Sequence, residues 1–275
     1  MKAIAINGSA RVQGSTAALL KHALSGAEEA GAKTRFVNLY EIQFSGCQNC
    51  FECKRLGNIN YGKCNHNDEL TELLEDVKAA DALFLGSPMY YGQITGEMQS
   101  FIERMLFPNI LYDDNGGSLW PKKTQTAFFF TMNVNQQQFN RGHRLEALKP
   151  LLKTLEKVCG SAEYKLVMET CQFFDGYEKY YTAKFDGPYR LKRHHEVFPI
   201  ELQEAFLMGK RMCMEPTNET NLTANNHYKM LNKMLGETIY DVKEPESIEY
   251  YNPGYIECGI SKFKDGILEY RYQGK

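Results

Sequence analysis

Five short apolar runs, each ended by a polar loop and most of them followed by apolar residues at helical spacing, constrain this chain more than any other feature. The runs are residues 2–6, 33–39, 82–86, 126–132 and 164–171. Continuously apolar stretches of this length suit strands covered on both faces. Leu20, Ala23, Leu24, Ala27 and Gly31 mark the first helix, which Ser15 or Thr16 would cap. Leu70, Leu73, Leu74 and Val77 mark a second over 68–79, with Asn67 or Asp68 as its cap. Met98, Phe101, Ile102, Met105 and Leu106 stripe a third, Leu145, Leu148, Leu152 and Leu155 a fourth, and a last helix falls near 200–214. Alternating strands and helices imply right-handed crossovers and a doubly wound parallel α/β sheet, with expected order 2-1-3-4-5. Every strand then ends on one edge, where ligands bind near the point of order reversal. Four loops should meet there: those holding Ser9, the first cysteines, Pro88 and Asn133.

The first of these loops reads NGSARVQGST from Asn7 to Thr16. Hydroxyls and backbone N–H groups at the start of a helix form an anion site suited to phosphate. A nucleoside-triphosphate loop needs a Gly-Lys-Ser/Thr ending, which is absent, and Ala10 stands where a dinucleotide loop needs its second glycine. A terminal monophosphate such as that of FMN remains, beside the plainer reading of an ordinary capped turn. The Pro88 loop, Ser87-Pro88-Met89-Tyr90-Tyr91-Gly92, should stop the third strand and present flat side chains at the sheet edge, where a planar heterocycle could lie.

With 43% apolar residues the 275-residue chain can fill a full core. Lys and Arg (32) nearly balance Asp and Glu (34), without a long basic run, so neither nucleic acid nor an anionic membrane is an expected partner. No apolar run reaches membrane-spanning length, and four apolar residues before Asn7 are too few for a signal peptide, so a cytoplasmic location is expected. Eight cysteines in a reducing compartment then read as thiols or metal ligands. Cys47, Cys50 and Cys53 are spaced like the start of a cubane iron–sulfur motif, and Cys64 follows after ten intervening residues. Zinc on the same four thiolates, or free thiols, are the other readings. The remaining cysteines read as packing residues, and His194-His195 as solvated loop histidines. Trp120 and the tyrosines at 177, 180, 181 and 189 suit either a pocket wall or surface and subunit contacts. Beyond residue 214 the chain turns polar at 215–226, then carries a short helix at 227–235 and a hairpin of strands 256–263 and 267–272. The expected domains are therefore 1–214 and an α+β extension, 215–275, that packs on the first domain or on a partner subunit.

Three stretches, GSARVQGST, CQNCFEC with Cys64, and GSPMYYGQITGEMQSFIER, resemble those of the flavodoxin-like NAD(P)H-dependent FMN reductases, in particular the iron-sulfur flavoproteins. The resemblance covers roughly 2–171. It implies FMN phosphate contacts from Ser9, Arg11, Ser15 and Thr16, ring contacts from Pro88, Met89, Tyr90, Tyr91 and Gly92, and closure of the site by Thr131 to Asn133. A [4Fe-4S] cluster on Cys47, Cys50, Cys53 and Cys64 follows from the iron-sulfur branch, where the fourth ligand comes sooner than Cys64 does here. NAD(P)H would give hydride to the flavin N5 and leave before an acceptor takes its place, with no side chain acting as a catalytic acid or base. A homodimer or homotetramer is implied. The runner-up is an electron carrier reduced by a ferredoxin-like partner without an NAD(P)H site, and the third reading is a regulatory protein without a redox cofactor.

Overall fold

A computed structural model describes residues 1–113, 116–214, 259–264 and 267–271. Residues 1–214 form one compact unit and 215–275 a second. The first is built on five parallel strands, β1 (Lys2–Asn7), β2 (Lys33–Asn38), β3 (Ala82–Pro88), β4 (Gln125–Thr131) and β5 (Glu163–Val167), in the order β2-β1-β3-β4-β5. Seven helices accompany them: α1 (Ser15–Glu29), α2 (Leu70–Lys78), α3 (Gly96–Leu106), α4 (Gln136–Arg141), α5 (Arg144–Cys159), α6 (Gly187–Glu196) and α7 (Phe198–Met212). In the second unit, β6 (Gly259–Lys264) and β7 (Ile267–Arg271) pair antiparallel. The expected linker and the helix at 227–235 lie outside the described residues.

Side chains alternate across the sheet with period two. Ile4, Ile6, Leu83, Leu85, Phe128 and Phe130 bury one face in a core shared with α2, α3 and α5. Ala3, Ala5, Ala82, Phe84, Ala127 and Phe129 bury the other against α1 and α7. The small residues on that second face have a counterpart in the helices above it. A Cβ on Gly26 would stand 1.9 Å from the Phe206 carbonyl oxygen, and one on Gly209 would stand 1.8 Å from that of Ala23, so glycines let the two backbones touch.

Several boundaries differ from expectation for identifiable reasons. Gly14, not Ser15, is the N-cap of α1, and no side chain caps it. Asp68 does accept the Leu70 N–H (3.0 Å), but α2 begins two residues after it. β3 runs two residues past Gly86 and ends on Pro88, whose missing N–H falls at the last position of the ladder, opposite Thr131. The fifth strand ends at Val167, and Gly31 lies past α1 in the left-handed region (φ +85°). Among the described residues no helix is long and apolar enough to cross a membrane.

Candidate functional site

The Ser9, Pro88 and Asn133 loops meet at the carboxyl edge of the sheet through direct hydrogen bonds. Asn7 ends β1 and turns its side chain back on the loop: its Nδ2 donates to the Ser9 carbonyl (3.0 Å) and its Oδ1 accepts the Ser9 N–H (3.2 Å). The Ser9 hydroxyl oxygen accepts the Arg11 N–H (3.2 Å), and the Arg11 carbonyl accepts the Gly14 N–H (3.0 Å). Gly8 donates to the Gly86 carbonyl (2.8 Å), and its own carbonyl accepts the Thr95 hydroxyl (2.7 Å), tying the loop to β3 and to the cap of α3. A side chain at Gly8 would collide with Met98, its Cβ falling 2.8 Å from the Met98 Cβ.

Ser15 then opens α1. Its hydroxyl oxygen is buried and has no hydrogen-bond partner among the described residues. An unsatisfied buried hydroxyl costs about 1–3 kcal/mol, and this one sits at the positive end of a 15-residue helix. The Thr16 hydroxyl meets that of Thr131 at 2.7 Å, joining the start of α1 to the end of β4. The Arg11 guanidinium turns outward and donates to the Gln172 carbonyl.

On the neighbouring strand, Met89 donates to the Thr131 carbonyl (2.8 Å), and Tyr90 and Gln93 exchange N–H to carbonyl bonds of 2.8 and 3.0 Å. Tyr91 (φ +53°) and Gly92 (φ +83°) fill the two central positions of this tight turn. Glycine adopts that backbone freely; a tyrosine does so at a cost, the kind of strain that clusters at functional turns. Both rings face solvent, Tyr90 at 53% and Tyr91 at 107% exposure, so neither belongs to the core. Thr95 caps α3 by accepting the Met98 N–H (3.3 Å), and its N–H donates to the Ser87 hydroxyl (3.0 Å), which fixes the turn at both ends.

The cysteine loop spans from the end of β2 to the start of α2. Cys47 and Cys50 are exposed, Cys53 is buried and Cys64 is half-buried, and all four line one small cavity with His66, Glu103, Arg104 and Phe107. As placed, no group of three or more His, Cys, Asp or Glu among the described residues could hold a metal ion. The donor set still suits a thiolate-ligated centre, because four cysteines line one cavity with a cation in its wall. Burial pushes the Cys53 thiol up, with Lys54 beside it opposing that effect.

Arg104, on α3, holds the loop at both ends. Its guanidinium donates to the carbonyls of Ser45 (3.0 Å) and His66 (2.8 Å) and to the Asp68 carboxylate. Burial would lower its pKa, but the Asp68 bond and the neighbouring Cys64 sulfur outweigh it and raise the pKa above the usual arginine value. A charged residue among the apolar residues of α3 was the sequence signal for this role. Gln172 and Arg190, which reach Asn133 from beyond β5, gave none.

Other candidates fall away from this edge. Trp120 is buried and donates its indole N–H to Thr124 (2.9 Å). His194 and His195 lie in the last turn of α6, not in a loop, and His194 stacks on Phe198 at 5.2 Å. Burial lowers the His194 pKa, with the charges of His195 and Arg193 adding to the effect. Cys159, Cys171 and Cys213 are buried packing residues.

A parallel sheet of this order, with a glycine-containing loop opening α1 and a strained aromatic turn on its carboxyl edge, defines a flavodoxin-like α/β protein. The model of the NADPH-dependent FMN reductases matches residues 1–139, and the chain belongs to that family. An iron-sulfur flavoprotein of Methanocaldococcus jannaschii is 36% identical over 104 residues, 38% of this chain and 51% of that protein. One from Archaeoglobus fulgidus is 35% identical over 106 residues, 38% of this chain and 46% of the relative. The chain thus spans about half the length of the curated relatives it matches. Among solved structures, an NAD(P)H:quinone oxidoreductase from Methanothermobacter marburgensis superposes with a TM-score of 0.56 at 13% identity, covering 76% of this chain and 98% of its own. An FMN-dependent NADH-azoreductase from Bacillus anthracis, solved with FMN, gives 0.54 at 14% identity, covering 78% and 100%. At these identities the superpositions carry the fold.

Proposed function

We propose that the chain is an FMN-dependent oxidoreductase that takes hydride from NAD(P)H and passes two electrons to a separate acceptor. The observation that carries this is the buried, unpartnered Ser15 hydroxyl at the start of α1, on the same edge as the strained Tyr91-Gly92 turn. In this reading Ser9, Arg11, Ser15 and Thr16 hold the phosphate, with the helix dipole adding to the attraction. Pro88, Met89, Tyr90, Tyr91 and Gly92 would contact the ring, and Thr131 to Asn133 would close the site. Bound FMN supplies the hydride chemistry, and a cluster on Cys47, Cys50, Cys53 and Cys64 supplies single-electron steps. The residues bind and orient; none needs to move a proton, so no catalytic residue is assigned. The family membership and the iron-sulfur names of the relatives support both cofactors. A homodimer or homotetramer is part of the reading and is measured by light scattering.

Anaerobic purification followed by flavin, iron and sulfide analysis tests the cofactors together. One FMN with four iron and four sulfide per chain is the expected result. Zinc, or four titratable thiols without iron, overturns the cluster while leaving the flavin. Steady-state oxidation of NADH and NADPH tests the activity. Turnover with neither, alongside rapid reduction by a reduced ferredoxin, would establish the electron carrier instead.

A further inference from the structure

A stretch that leaves β5 and runs to α6 forms a third wall against the Ser9 and Asn133 loops, and Gln172 is its point of contact with both. The Gln172 carbonyl accepts from Arg11, and its side-chain Oε1 accepts from the Asn133 Nδ2 at 3.0 Å. Its own N–H donates to the Tyr177 hydroxyl at 3.0 Å. Tyr177 is buried and meets Phe173 edge-on at 5.3 Å, while Phe173 stacks on Tyr180 at 4.0 Å. Aromatic packing therefore fixes Gln172 in place. Asn133 is gripped a second time, its carbonyl accepting from the Arg190 guanidinium (2.8 Å), which also pairs with Glu169 at 3.4 Å.

In this network the Asn133 amide turns its donor end toward Gln172. A primary amide has a donor end and an acceptor end, and the partner of one end sets the role of the other. With Nδ2 engaged by Gln172, the Asn133 Oδ1 is left buried and without a partner among the described residues. It is an unused acceptor on the loop that follows Thr131, the residue paired with Pro88.

We propose that Gln172 is a positioning residue that orients the Asn133 amide so that its oxygen accepts a hydrogen bond from an N–H on the edge of the bound flavin ring. The inference rests on the flavin site proposed above. It assigns an imide donor edge of a planar heterocycle to Asn133, and the selection of that edge to a residue that touches no cofactor.

The test compares Gln172→Met, Gln172→Glu and Tyr177→Phe with wild type, measuring the dissociation constants of FMN and riboflavin from the apoprotein by fluorescence quenching, with circular dichroism as the fold check. Methionine fills the volume without accepting, whereas glutamate still accepts from Nδ2, so the pair separates packing from orientation. Gln172→Met should weaken both ligands about five- to tenfold, the loss of one well-made hydrogen bond. Gln172→Glu should restore riboflavin binding, where no phosphate is present to repel the added charge. Tyr177→Phe, which only loosens Gln172, should fall between the two. If wild type binds flavin and Gln172→Met binds it equally well, or if Gln172→Glu fails with riboflavin as badly as methionine does, the inference is overturned. Failure of wild type to bind either ligand overturns the flavin site itself, so the two failures are distinguishable.

Discussion

A buried hydroxyl without a partner lowers the stability of the empty protein and raises its affinity for whatever supplies the partner. Ser15 is such a group, and Ser15→Ala should separate the two effects. Removing the oxygen and gaining alanine's helix propensity should stabilise the apoprotein by about 1 kcal/mol, while FMN binds about tenfold more weakly for want of one phosphate contact. Thermal melts of the apoprotein and flavin titration read these separately, and a variant that loses both stability and affinity would contradict the assignment. Ser15→Asp is the harsher probe: it should abolish FMN retention while the fold persists. Just before α2, where it meets Arg104 of α3, the Asp68 carboxyl is shifted by opposing causes. Burial raises its pKa, but the Arg104 guanidinium and the Ser45 and Leu70 N–H groups prevail and hold it below the usual carboxylate range. A folded pKa below the unfolded value of about 4 stabilises the protein fully above that pH, and the stabilisation is lost as pH falls through the folded value. Asp68→Asn leaves a buried guanidinium without its counter-charge and should cost about 3 kcal/mol at neutral pH. The gap in Tm between this variant and wild type should narrow as pH falls below about 4, and a gap that widened in acid would reverse the sign argued here.

Among the elements, the crossing of α1 and α7 is the least tolerant of change. Gly26 and Gly209 each lie against the partner helix's backbone, so an added methyl has no flexible neighbour to displace. Gly209→Ala should destabilise by about 3 kcal/mol, the upper end of ordinary overpacking. Gly96→Ala, at the open start of α3 where no heavy atom lies within 4 Å of an added Cβ, should be neutral to mildly stabilising in the same chemical denaturation experiment. These two glycines look alike in sequence, and the reason marks the limit of what pattern can reveal. The five strands and their order were legible because continuous apolar runs and the handedness of crossovers leave few topologies. The site loops were legible because each lies where such a strand must end. Helix α6 was not: residues 187–196 are basic and tyrosine-containing, lack an apolar stripe, and are held by Arg190 and Arg193 through ion pairs to Glu169 and Glu201. The cap of α1 was misplaced by one residue because Ser15 has the chemistry of a cap, yet its hydroxyl is kept unbonded inside the first turn. Gln172 left no local signal for its place at the site, since the loop residues it contacts, Arg11 and Asn133, lie 161 and 39 residues away.

At the scale of the whole molecule, all five sheet strands, both apolar cores and every residue of the proposed flavin site belong to residues 1–214. The core residues described for that unit all come from its own sequence, and we propose that it folds and binds flavin alone. A chain ending at Met214 should melt cooperatively and bind FMN with the affinity of the full chain. Because a ligand that binds only the folded state stabilises it, FMN at a hundredfold excess over its dissociation constant should add about 2.7 kcal/mol, or roughly 5–10 °C for a domain of this size. That increment should be the same for both chains, since it depends on affinity and not on what else is attached. A truncated chain that folds but gains a smaller increment would bring residues beyond 214 into the flavin site. One that melts without cooperativity would instead make them part of the fold.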